Sequence, residues 1–264
     1  MFRREMKVNF KSFMIWLFIV MGMFTVVFLI YPSIIDSDSI QKIDDLIKIF
    51  PEEVLKAFNM DISSLDSAYG WLKSEGFVFV LLIVGCYAGI LGSNILLKEE
   101  NDKTIEYLNS LPVRRRDIVV QKVLAGLTYI ILMVGLIGIF NFIGLSLSGD
   151  FDQEQYLFLS ITPLFSSVVI YFICMFFSTF THKTKKMIGI SLGIVFISYM
   201  LHMLSTIADS VSFLKYFSVF TLSDIRNVIT STSIDPIMVV LSIGISGLFF
   251  ILTMMHYNRK ELIG

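Results

Sequence analysis

The sequence predicts an all-α integral membrane protein with six transmembrane helices and both termini on the inner side. Three observations predict it. The 264 residues are 55% hydrophobic with a mean hydropathy of +0.78, and only 16% are charged, against about 25% in an average soluble domain. The apolar residues, 25 Phe and 14 Met among them, collect into six runs close to the ~20 residues a helix needs to cross a bilayer core. If the chain weaves across six times, fifteen of its 21 lysines and arginines fall on one side and 15 of its 22 acids on the other. An excess of Lys and Arg marks the cytoplasmic side.

The elements follow in order. Residues 1–12, MFRREMKVNFKS, place Phe2, Met6, Phe10 and Phe13 at spacings of 4, 4 and 3, opposite Arg3, Arg4, Lys7 and Lys11. That pattern predicts a helix lying in the inner headgroup plane, apolar face down and basic face toward anionic lipid. The first span is expected over Phe13–Tyr31. It leads into YPSIID with no small-x-small cleavage site, so a removed signal peptide is not expected. Residues 32–76 form the largest outer loop. In it Ile40, Ile43, Ile47 and Phe50 recur at 3, 4 and 3, and Pro51 opens PEEVLKAF with Glu52 and Glu53 in the first turn. Both stretches read as short amphipathic helices on the outer face.

The remaining spans are expected over Phe77–Leu97, Ile118–Leu147, Tyr156–Thr181, Met187–Ala208 and Pro236–Tyr257, all in one membrane domain, 1–264. Gly85 and Gly89, and again Gly189 and Gly193, stand four apart, a spacing that lets helix backbones approach closely. Polar side chains at membrane depth are few: Asn94, Asn141, His202 and some Ser and Thr. No Asp, Glu, Lys or Arg occupies the centre of a span, which disfavours a proton- or ion-driven carrier. Cys86 and Cys174 both lie in apolar runs and read as buried thiols, with no disulfide or metal spacing.

Catalytic chemistry is poorly supplied. There is no phosphate loop of the G-x-x-x-x-G-K-[ST] type and no Gly-Lys pair anywhere, so no nucleotide site is expected on this chain. No His, Cys or carboxylate cluster has metal spacing. No Ser/His/Asp set converges in a span. A net charge of −1 gives no reason to expect nucleic acid as a partner.

One charged segment stands out, LLKEENDKTIEYLNSLPVRRRDIVVQK, Leu96 to Lys122. Its first half is acidic and its second half basic. Read as a helix, 97–111 puts Leu97, Ile105, Leu108 and Leu111 near one face and Glu99, Asp102, Lys103 and Glu106 on the other. Glu99 and Lys103 form an i,i+4 pair in the favourable order. The helix must stop before Pro112, since the residue preceding a proline disfavours the helical region. Arg114, Arg115 and Arg116 then reach the headgroups. The expectation is a hairpin over 98–117 just below the membrane, its acids facing the cytosol as a docking surface for a soluble partner.

The stretch EENDKTIEYLNSLPVRRRDIVVQKVLA resembles the segment after the second span in bacterial ABC-2-type transporter permeases, the type V exporter-like group. Glu99, Glu100, Thr104, Ile105, Glu106, Leu111, Pro112, Val113, Arg115 and Lys122 match that pattern. Lys103 stands where many members carry Gly. Six spans, inner termini, an N-terminal interfacial helix and the lack of a nucleotide site extend the resemblance over the whole chain.

The resemblance implies a permease subunit in a bacterial cytoplasmic membrane. It would pair with a second permease copy, as a homodimer or heterodimer, and with two ABC ATPase subunits that hold ATP and Mg. It further implies that 98–111 is a coupling helix. Glu99, Glu100, Thr104, Ile105 and Glu106 would contact the ATPase, and Pro112 with Arg114, Arg115 and Arg116 would fix the hairpin to the membrane. The interfacial helix, with Phe2, Arg3, Arg4, Met6, Lys7 and Phe10, would transmit motion into the first span.

Phe- and Met-rich spans without central charges favour an adaptable apolar path. Such a path suits amphipathic antimicrobial or cytolytic peptides, or hydrophobic drugs. Sodium extrusion by a relative of this type, and a non-transporting scaffold or sensor that recruits a cytosolic protein, are the alternatives.

Overall fold

The computed structural model describes residues 1–34, 67–102, 114–207 and 209–260. Among these the chain is all-α, with no strand. Six helical stretches are long and apolar enough to cross a membrane: Phe2–Tyr31, Ala68–Asn101, Arg115–Ser148, Gln153–Ser178, Thr184–Ile207 and Pro236–Arg259, spans 1 to 6. The protein is a multi-pass membrane protein.

Span 1 differs from expectation at its start. Residues 1–12 do not form a separate helix: Phe2–Ile34 is one uninterrupted helix, since neither Pro nor Gly occurs before Gly22. Of the apolar face expected at Phe2, Met6, Phe10 and Phe13, Phe13 is buried and Phe2 and Met6 are half-buried, but Phe10 is not covered. Phe10 is 55% exposed, and the buried stripe is Glu5, Asn9, Phe13, Leu17, Val20, Phe24 and Tyr31. Polar Glu5 and Asn9 can turn inward because they find partners there. This stripe packs against span 3, with the Phe13 and Tyr129 rings 5.0 Å apart. The Phe2 amide donates to Gln121 Oε1 at 3.1 Å, and the Tyr129 hydroxyl donates to the Met6 carbonyl.

Span 2 begins at Ala68, inside the expected outer loop. Ser67 caps it, its hydroxyl accepting from the Gly70 amide at 3.0 Å. A π-helical stretch, Leu72–Gly76, then joins it to Phe77–Asn101. The two outer amphipathic helices expected around Ile40–Phe50 and Pro51 lie outside the described residues.

Spans 2 and 4 form the centre. Of their most apolar stretches, 72% and 56% are buried, against 22%, 22% and 17% for spans 1, 5 and 6. The two central backbones touch: a Cβ on Gly92 would lie 2.3 Å from the Tyr171 carbonyl oxygen. Gly85 and Gly89 serve the same interior packing, against Ile170, Cys174 and Phe220. Gly189 and Gly193, by contrast, have nothing within 4 Å of an added Cβ. Gly92→Ala is therefore expected to cost about 1–3 kcal/mol of overpacking, lowering Tm by about 2–12 °C, while Gly193→Ala leaves Tm unchanged. A thiol-reactive dye reads both, because Cys86 and Cys174 are buried and free.

Span 4 is not the single helix expected. It breaks at Thr162 into Gln153–Ile161 and Pro163–Ser178, since Pro163 has no amide hydrogen to continue the ladder. The break is closed by Ser223, whose hydroxyl donates to the Thr162 carbonyl at 2.6 Å and accepts from the Ser166 amide at 3.0 Å. Ser223 comes from two 3-10 turns, Asp209–Phe217 and Val219–Ser223, between spans 5 and 6. That segment folds back into the bundle and buries Phe220 completely. Span 6 starts with Asp235 as cap, accepting from the Ile237 amide at 2.9 Å, and Pro236 in its first turn.

Candidate functional site

Residues near both ends of the chain, at the start of span 3 and at the corner between spans 4 and 5 converge on two adjacent residues, Glu99 and Glu100. Both sit in the last turn of the span 2 helix, which runs without a break from Phe77 to Asn101. Successive helical residues point about 100° apart, so the two carboxylates serve different neighbours.

Glu99 faces spans 1 and 3. Lys122, in the second turn of span 3, is fully buried. Its ammonium donates to Glu99 Oε2 at 2.7 Å and to the Ile95 carbonyl at 2.6 Å, and lies 3.2 Å from Glu5 Oε1 in span 1. Asn9 Nδ2 donates to the Glu5 carbonyl at 3.0 Å and reaches Glu5 Oε2 at 3.4 Å. One buried cation is thus shared by two buried carboxylates from different helices.

Glu100 faces spans 4 and 6. The Lys260 ammonium, just past span 6, donates to Glu100 Oε1 and to the Thr181 carbonyl, each at 2.8 Å. His182 Nδ1, at the corner between spans 4 and 5, lies against Glu100 Oε2, with the His182 side chain 42% exposed. Arg115 Nη1 closes the ring by donating to the Lys260 carbonyl at 3.1 Å. Between them the two clusters tie the ends of all six spans together. Buried charges of this kind persist only when paired and hydrogen-bonded.

These positions correct the expected docking face at two residues. Glu99 and Glu100 are buried and face the bundle, because Lys122 on span 3 and Lys260 just past span 6 meet them. Glu99 pairs with Lys122; Lys103 lies outside the described residues. Residues 98–101 belong to the span 2 helix, which ends at Asp102. Thr104, Ile105, Glu106 and Pro112 lie outside the described residues. Arg114 stands at the start of span 3 and is exposed, as is Arg116, whereas Arg115 is half-buried on Lys260. Arg3, Arg4 and Lys7 are exposed on the first helix, and Phe2 and Met6 are half-buried.

Sequence reasoning missed the roles of Glu5, Asn9, His182 and Lys260, and gave Lys122 none. Two signals were present. Glu5 is the only acid in a run of basic residues, and Lys122 sits four residues inside the expected third span, where an ionisable group needs a partner. At the other end, His202 Nδ1 is buried without a hydrogen bond. Among the described residues no group of three or more His, Cys, Asp or Glu is arranged to hold a metal ion.

A family model described as "ABC-2 family transporter protein" matches residues 1–262. No curated protein and no solved structure matches the chain.

Proposed function

The chain belongs to the ABC-2 family of transporter proteins, membrane permeases of ABC transporters that work with an ABC ATPase, and from that premise we propose that it is the permease subunit of an ATP-driven exporter. In this reading it lies in a bacterial cytoplasmic membrane with both termini inside. It works as one of two permease copies beside two ATPase subunits, which supply ATP and Mg binding. Its cargo is an amphipathic peptide or a hydrophobic drug.

The observation that carries the reading is the anchoring of the 98–117 segment. One flank is held by Glu99 and Glu100, the other by Arg115 and Lys122. A segment that receives a push from a soluble partner needs both flanks attached to the helices that must move. The contact with the ATPase then falls to Thr104, Ile105 and Glu106, with Pro112, Arg114 and Arg116 setting the hairpin against the membrane. Glu99 and Glu100 pass from contact residues to residues that hold the hairpin in place.

An apolar path is supported by the groove of about 480 Å³ between spans 3, 4 and 6, lined by Leu127, Phe172, Ile243 and Phe250 and free of charged side chains. In spans 1, 5 and 6 most of the apolar stretch is not buried inside the chain, which leaves it available to lipid and to a second permease.

Gentle affinity purification from the native membrane, with mass spectrometry of what co-elutes, tests the proposal. A near-stoichiometric protein with a phosphate loop is the expected result. A chain that elutes alone, or with a cytosolic protein lacking such a loop, would overturn it and favour a scaffold.

A further inference from the structure

We infer that Lys122 exchanges partners between Glu99 and Glu5 as the 98–117 segment moves, which makes Glu5 and Lys122 positioning residues of the transport cycle. The functional part of this inference rests on the coupling role proposed for that segment; the ion-pair geometry stands without it.

The argument begins with which helices move together. Span 1 is bound to span 3 at three points beside the cluster: the Phe2 amide on Gln121, the Tyr129 hydroxyl on the Met6 carbonyl, and Glu5 on Lys122. Phe13 stacks on Tyr129 one turn further in. Spans 1 and 3 therefore form one unit. Span 2 packs chiefly on spans 4 and 5, and the backbone contact at Gly92 fixes it to span 4. The bond from Lys122 to Glu5 lies within the first unit. The bonds from Lys122 to Glu99 and to the Ile95 carbonyl cross from the first unit to the second.

An ammonium has three N–H donors, and here they go to Ile95 O at 2.6 Å and to the two Glu99 oxygens at 2.8 and 2.7 Å, while Glu5 Oε1 lies 3.2 Å away as a second carboxylate in ion-pair range. With Glu99 alone, any shift of the span 2 end against span 3 would strip a fully buried cation, a large penalty in a low-dielectric site. With Glu5 held alongside by Asn9, the cation keeps a carboxylate throughout the shift. Two acids around one lysine thus provide two arrangements of the same charges, and the boundary between the two units can slide without breaking the cluster. Span 2 carries the first flank of the hairpin, so a push on the hairpin is a push on this boundary.

Hydrogen–deuterium exchange of the permease alone in lipid nanodiscs tests the geometry. In Glu99→Gln, Lys122 settles on Glu5, and exchange in residues 2–9 slows at least twofold while 95–101 speeds up. In Glu5→Gln the pattern reverses. Residues 2–9 that stay unchanged or speed up in Glu99→Gln would overturn the exchange of partners, because they would mark a single rigid cluster. In the complex with its ATPase, Glu5→Gln is expected to lower transport per ATP hydrolysed at least tenfold, and Glu5→Asp to restore most of it. Transport and hydrolysis that fall in proportion to the amount of assembled complex would overturn the positioning role. If no ATPase accompanies the wild-type chain, the permease reading fails by itself, and the exchange result on the permease alone still decides the ion-pair step.

Discussion

Lys122→Met is expected to be the most destabilising single substitution at the Glu99–Glu100 end of the bundle, costing about 3–5 kcal/mol. Lys122 is fully buried, donates to the Ile95 carbonyl and the Glu99 carboxylate on span 2, and forms an ion pair with Glu5 on span 1. Removing its charge leaves Glu5 and Glu99 facing each other, both buried, with no cation between them. Each carboxylate then pays its desolvation without return, and their mutual repulsion adds to it. At about 2–4 °C per kcal/mol for a chain of this size, Tm falls by about 6–20 °C, read by the reactivity of Cys86 and Cys174. Two further variants separate lost charge from lost packing. Glu5→Gln/Lys122→Met/Glu99→Gln removes the whole ionic set and is expected to recover most of the loss, since uncharged groups of similar shape carry far less desolvation cost. Lys122→Arg keeps the charge but forces a planar, larger group into the same space and should fall between. A triple variant no more stable than Lys122→Met would mean that the methylene packing of Lys122, not its charge, holds the site.

The spans were legible because their signal is additive: some twenty apolar residues outweigh any local preference. Pairing between helices carries no such signal. In the first helix the regular spacing of Phe2, Met6, Phe10 and Phe13 pointed to one face, yet only Phe13 of these is buried, in a stripe that Glu5 and Asn9 begin. Hydrophobic periodicity ranks faces by apolarity, and it fails where a buried lysine elsewhere in the chain makes a polar face the better one. The same holds for Glu99, whose favourable pairing with Lys103 is local and visible, while its partner Lys122 is 23 residues away. Lys260, 160 residues from Glu100, left no trace in spacing at all. The break in span 4 left a trace that went unread: Pro163 removes one ladder hydrogen bond, but Pro32 sits inside the helix Phe2–Ile34, and only the fold reveals Ser223 as the residue that closes the break.

Glu100→Lys is expected to disable coupling more than folding. The variant places a third basic group beside Lys260, whose ammonium now rests 2.8 Å from the Glu100 carboxylate, and beside His182. Lys260 keeps only the Thr181 carbonyl. Breaking a buried pair costs about 3–5 kcal/mol, but this cluster can relieve the strain locally. His182 is 42% exposed, and Lys260 lies beyond the end of span 6, so the corner at 179–184 and the chain after Arg259 can swing outward into water. Tm is therefore expected to fall by less than in Lys122→Met, while proteolysis after Arg259 and Lys260 speeds up. The functional loss is larger. With Glu100 released, the hairpin flank no longer pulls on the span 4–5 corner or on span 6, so ATP hydrolysis by the partner should proceed without substrate response and with transport reduced at least tenfold in proteoliposomes. The exchanged pair, Glu100→Lys with Lys260→Glu, restores an ion pair across the same gap and is expected to recover part of the transport. Substrate-responsive hydrolysis equal to wild type in Glu100→Lys would show that the hairpin acts without this anchor.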